Sequence, residues 1–203
     1  MSELEKLLYS FSISKDFLFK ILDSLKKSTS SGTHKRIQLE LGLAFSYITN
    51  IVEVEYYFPL KKPIISTKGE IFRKWPADIY VKYNYTDLII EVETANLSKR
   101  EEERRINSKL EKFYNIVDER RPLFLIPAFY RDNIPHEEIY SINKNTGVIP
   151  AYIIMSDKKK GIGVLDLKDE NLLYLLEKVT KYYSNASIIS NYIKNTFKEI
   201  FED

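Results

Sequence analysis

The chain has no cysteine and only two histidines, His34 and His136. The first absence excludes disulfides, thiolate zinc centres and a cysteine nucleophile. The second argues against a multi-histidine metal centre. What remains in quantity is carboxylate oxygen, and oxygen donors suit a hard ion such as Mg²⁺, Mn²⁺ or Ca²⁺. No apolar run approaches the roughly 20 residues that cross a bilayer. The opening segment MSELEKLLYS lacks the pattern of a secretory signal. A cytoplasmic protein with no membrane partner is therefore expected. The net charge of +2 is too small to mark a nucleic-acid binder by itself, so the distribution of charge matters more than its sum.

With 203 residues, 44% hydrophobic and 30% charged, the chain suits one globular domain. Phe17, Ile21, Leu22 and Leu25 give residues 14–28 a helical period, which the run STSSG then breaks. Thr33 is a candidate N-cap for a second helix over about 34–50. Residues 51–58 alternate like a strand. The Lys-, Pro- and Gly-rich segment 60–76 is expected to be a loop. Two strands follow, at about 77–83 and 87–93, joined by a turn near Asn84–Thr86. Residues 98–118 form a charged helix, with Ser98 and Glu101 as a capping box. Further strands are expected at 123–129, 148–156 and 161–166, the last two paired through the KKKG turn. One or two helices follow over 169–201. This order implies an α/β fold with a central mixed sheet flanked by helices.

The stretch WPADIYVKYNYTDLIIEVET carries Asp78, Glu91 and Glu93. Residues two apart on a strand share a face, so Glu91 and Glu93 point the same way. A short hairpin brings Asp78 across from them. Carboxylates held side by side repel one another, and a bound cation relieves this best. An acid inside LIIEVE is expected to be buried and to need a partner or an ion. A Mg²⁺ site, and through it a metal-dependent phosphodiesterase, is the leading expectation from these residues.

The pattern resembles the PD-(D/E)XK nuclease superfamily, which includes restriction endonucleases and archaeal resolvases. The matching pieces are Pro76-Ala77-Asp78 and Glu91-Val92-Glu93, preceded by a helix carrying Glu40. The resemblance covers about 34–130 and implies a restriction-endonuclease-like core over about 34–166, with helical additions at both ends. It also implies Mg²⁺ or Mn²⁺ on Asp78, Glu91 and the Val92 carbonyl, with Glu40 completing the acidic cluster. The last motif position is normally Lys. Here it is Glu93, so either Glu93 positions or deprotonates water, or a cation from the following helix, such as Lys109, supplies the missing charge.

The implied activity is hydrolysis of DNA phosphodiester bonds. The departure at Glu93 supports the rival expectation, a non-catalytic DNA-binding or assembly protein that keeps the fold. Phosphate contacts are expected from His34, Lys35 and Arg36 at one helix start and from Lys99, Arg100 and Arg105 on the charged helix. Trp75 and some tyrosines are candidates for stacking on bases. The C-terminal helices are a candidate homodimer interface. The Lys-, Ile- and Tyr-rich composition without cysteine suits an archaeal or viral source.

Overall fold

Each of the first three helices opens on a serine whose hydroxyl accepts a hydrogen bond from the turn ahead. Ser2 caps α1 (Glu3–Ser10), Ser14 caps α2 (Lys15–Lys26) and Ser31 caps α3 (Gly32–Ser46). A helix start leaves four backbone N–H groups without partners, and a serine oxygen satisfies one of them. The cap of α3 is thus Ser31 and not Thr33, and α1 has no counterpart among the predicted elements. The structure is a computed structural model, which describes residues 1–49, 52–55, 59–65, 71–74, 77–113, 123–130, 151–156, 160–164 and 169–202.

Helix α3 is buried on all sides from Ile37 to Phe45, as a core helix must be. Gly42 permits that depth. A Cβ at this position would stand 2.8 Å from Cγ2 of Val54, so the missing side chain lets α3 close onto β1 (Val52–Val54).

The main sheet has six strands: β1, β4 (Ile79–Tyr83), β5 (Thr86–Glu93), β6 (Leu123–Tyr130), β7 (Ala151–Met155) and β8 (Lys160–Val164), in the order β1-β4-β5-β6-β7-β8. β4 and β5 form the expected antiparallel hairpin, and Asn84 takes the left-handed backbone its turn requires (φ 50°). From β5 the chain crosses through α4 (Lys99–Phe113) to β6, which runs parallel to β5. β7 is parallel to β6, and β8 pairs antiparallel with β7. The sheet is therefore mixed.

The segment expected to be a loop at 60–76 instead holds β2 (Pro59–Ile65) and β3 (Ile71–Lys74), a separate antiparallel pair. Its apolar and β-branched residues outweigh its lysines and prolines. Pro59 is the first residue of its strand, and Pro63 falls in an irregular stretch of the register, both places where a missing N–H costs little.

Alternation along the strands gives the sheet two different faces. Ile79, Val81, Leu88, Ile90, Val92, Ile126, Ala128 and Ile153 point into one large apolar cluster shared with α2, α3 and α5 (Glu170–Thr196). The opposite face carries Tyr80, Glu91, Glu93, Phe129 and Tyr152. There Ile106 and Arg105 of α4 line a small pocket with Glu93 and Phe129. Asp169 caps α5 by accepting from the N–H groups of Asn171 and Leu172, and α6 (Lys198–Phe201) closes the chain. No helix among the described residues is long and apolar enough to cross a membrane.

Candidate metal and nucleic-acid site

The carboxylates of β5 lie on the face that α4 covers, and α4 meets them with cations one turn apart. Lys109 Nζ donates to Glu93 Oε1 at 2.7 Å and lies 2.9 Å from Glu91 Oε2. Arg105, four residues earlier on the same helix face, donates to Glu93 Oε2 at 3.1 Å. The i,i+4 spacing of Arg105 and Lys109 makes this double contact geometrically natural. Glu91 is buried, and burial above all pushes its carboxyl up to about 7. Lys109 opposes that shift, while the negative charges of Asp78 and Glu93 add to it. Burial also works against the charge on Lys109, but Glu91 and Glu93 prevail and raise its pKa above the ordinary lysine value.

Asp78 sits just ahead of β4 and lines the same cleft. Its Oδ2 accepts the backbone N–H of Val92 at 2.8 Å, and its Oδ1 accepts from Gln38 Nε2 at 3.1 Å. In an antiparallel pair a residue's N–H and C=O face the same neighbour, so the Val92 carbonyl also faces the Asp78 side. The cleft measures about 900 Å³ and is lined by Asp78, Glu91, Val92, Glu93 and Lys109, with Arg100, Arg104 and Arg105 of α4 along one wall. An acidic floor beneath a basic wall suits a cation together with a phosphate. The donor set of Asp78, Glu91 and the Val92 carbonyl is all oxygen and includes a buried carboxylate that a cation would stabilise. It fits Mg²⁺ or Mn²⁺.

His34 and Gln38, one turn apart on α3, reach the other side of Asp78. His34 Nε2 is 3.2 Å from Asp78 Oδ1. Gln38 Nε2 also donates to Glu55 Oε1 at 2.9 Å, and Ser30 Oγ donates to the same oxygen at 2.8 Å. Burial lowers the basicity of His34, but the hydrogen bond and charge of Asp78, with Glu55 and Glu93 behind it, outweigh this and raise its pKa. Among the described residues, His34, Glu55 and Asp78 are the one set of three whose ligand atoms all lie within 4.8 Å of one another.

Glu40 stands apart from this group. Its side chain is fully buried, Arg36 Nη1 donates to Oε1 at 3.0 Å, and the Tyr183 hydroxyl of α5 donates to Oε2. Both its oxygens are thus engaged within the protein, and Glu40, expected in the metal cluster, is not among the residues that line the cleft. Arg36 is drawn to the same place, with its guanidinium 5.0 Å from the Tyr130 ring centre. Lys35 is buried. Of the expected basic triplet, only His34 lines the cleft. On α4, Arg100 and Arg105 line it and Lys99 does not. Glu101 accepts from the Ser98 N–H at 3.3 Å, one half of the expected capping box. Pro76, Trp75, His136, Lys158 and Lys159 lie outside the described residues.

Two site residues were missed in the sequence, Gln38 and Glu55. The signals were there: Gln38 falls one turn after His34, and Glu55 ends VEVE, an acid at a strand end like Glu93.

Neither a family model nor a curated protein matches this chain. Among solved structures, it is similar to the small subunit of the heterodimeric restriction endonuclease R.BspD6I. That likeness has 13% identity and a TM-score of 0.38, over 90% of this chain and 99% of that one. A mixed sheet with flanking helices fits the restriction-endonuclease-like α/β core expected from the sequence.

Proposed function

We propose that the protein is a metal-dependent nuclease that hydrolyses DNA phosphodiester bonds. The observation that carries this reading is the convergence of Asp78, Glu91, Glu93 and Lys109 on the floor of one cleft with a basic wall. Asp78, Glu91 and the Val92 carbonyl would hold the ion. A divalent ion such as Mg²⁺ or Mn²⁺, once bound, would supply polarisation of a phosphate oxygen and a lowered pKa of the attacking water. Lys109 takes the part of the lysine that the motif lacks, since its ammonium already reaches the end of β5 where that lysine would stand. Glu93, oriented by Arg105 and Lys109, accepts the proton of the water. Arg100 and Arg104 hold flanking phosphates. The chain acts as a single nuclease domain in the cytoplasm, and a homodimer is the assembly suited to cutting both strands.

The test is cleavage of linear, supercoiled, single-stranded and branched DNA with Mg²⁺ or Mn²⁺. Asp78→Asn, Glu91→Gln and Lys109→Met are run in parallel. Metal-dependent cutting by the native protein, reduced at least about 100-fold in each variant, is the expected result. Tight binding without cutting under either metal would overturn catalysis and leave a DNA-binding protein that keeps the fold.

A further inference from the structure

We infer that the β2–β3 ribbon is an arm that grips duplex DNA beside the cleft, its basic half along the phosphates and its apolar end wedged at a base step. That the partner is DNA rests on the nuclease reading. The chain leaves the main sheet after β1, at Glu55, makes the ribbon, and returns at Asp78 ahead of β4. The backbone N–H of Glu55 donates to the Asp78 carbonyl, so the two feet of the ribbon meet. Asp78 lines the cleft, and Lys74 stands four residues before it, a reach of at most about 14 Å along the chain. The arm therefore starts next to the candidate site.

The register sorts charge from apolarity along the ribbon. Pro59 pairs with Lys74, Ile64 with Phe72 and Ile65 with Ile71. Lys61, Lys62, Arg73 and Lys74 thus fall on the half nearest the feet, and neither Pro59–Ile65 nor Ile71–Lys74 contains an acid. The far end carries Ile64, Ile65, Ile71 and Phe72, with Ile71 60% exposed. Among the described elements, β2 and β3 form a sheet of their own and pack chiefly on each other. A lone two-stranded ribbon is marginal in water, and a partner laid against it supplies the packing it lacks.

Duplex DNA is the occupant that suits both halves. Lysine and arginine neutralise phosphates whatever the sequence. Apolar residues such as Ile and Phe enter between base steps from the minor groove and kink the duplex. A second copy of this chain suits the ribbon less. It would add a strand to an open edge, and lysines together with Pro63 oppose such pairing. Arg100 and Arg104 of the cleft wall and the basic half of the ribbon then hold separate stretches of one backbone. A kink at the wedge helps one duplex reach both.

The experiment uses duplex oligonucleotides with 2-aminopurine placed at successive steps, in EDTA so that none is cut. Anisotropy gives the salt slope of binding for the native chain, Lys61→Gln with Lys62→Gln, Arg73→Gln with Lys74→Gln, and Arg104→Ala. Each double variant should lower the slope by about 2, as two phosphate contacts are lost. The native chain should brighten 2-aminopurine at the wedged step, a readout that needs no variant to fold. Ile71→Ser should lose that brightening and keep the native slope. Because the chain has no cysteine, Ile71→Cys takes a single aryl-azide label, which should crosslink to DNA. Unchanged slopes in both double variants beside a lowered slope in Arg104→Ala would overturn the arm and leave the nuclease reading standing. Crosslinking to a second copy in place of DNA, or no brightening at any step, would overturn it equally. Absence of binding by the native chain would also overturn it, while metal-dependent cleavage judges the nuclease reading separately.

Discussion

Glu91 is the residue at which the fold and the chemistry oppose each other. It lies in a strand whose other central residues are apolar, and burial holds its proton to about pH 7. A folded-state pKa above the unfolded value gives stability that is full below about 4.5 and lost as pH rises through about 7. His34, also raised, contributes in the same direction above its ordinary 6.5. Lys109, raised as well, keeps its contribution throughout this window and loses it only at much higher pH. In EDTA the melting temperature should therefore fall between pH 5.5 and pH 8, with at most on the order of 3 kcal/mol from Glu91. Added Mg²⁺ should restore more stability at pH 8 than at pH 5.5, because a cation binds the ionised carboxylate. Circular dichroism melts of the native chain and Glu91→Gln check this, and an equal pH slope in the two would sink the argument.

At the scale of elements, α3 serves two places at once. Its residues 34 and 38 face Asp78, while residues 36 and 40 turn towards Tyr130 and Tyr183. Glu40 thus ties α3 to α5 and has its charge balanced by Arg36 inside the protein. Burial, together with the adjacent negative charge of Glu40, raises the Tyr183 hydroxyl pKa, so it remains a neutral donor. Tyr183→Phe leaves Glu40 with Arg36 as its charged partner and should cost about 1–3 kcal/mol in urea unfolding, with Mg²⁺ affinity unchanged. A loss of metal binding in that variant would return Glu40 to the site. The sequence displayed Glu40 plainly but not which way it points. Helical spacing assigns residues to faces, and only the packing of α5 says what each face meets.

For the whole molecule, the wall of the cleft sets the expectation for DNA. Arg100 and Arg104 line it without belonging to the carboxylate floor. Arg100→Ala and Arg104→Ala should each weaken duplex binding about equally across sequences and lower the slope of log affinity against log salt by about 1. Fluorescence anisotropy between 50 and 200 mM salt, conditions chosen to span the counterion-release range, measures it. A slope unchanged in both variants would place the DNA elsewhere.

Local pattern determined much of this protein by itself. The period of two in LIIEVE put Glu91 and Glu93 on one face, the turn at Asn84 set the hairpin, and the apolar runs expected as strands at 123–129 and 148–156 hold the strands Leu123–Tyr130 and Ala151–Met155. These features depend on residues close in the chain. The tertiary structure alone decided which cation reaches the carboxylates, that Glu40 and Arg36 turn away from them, and that Glu55 and Gln38 join Asp78. Those contacts span 16 residues between Lys109 and Glu93, 40 between Gln38 and Asp78, and 143 between Tyr183 and Glu40. The crossing of helices over the sheet fixes such distances, and no local periodicity encodes it.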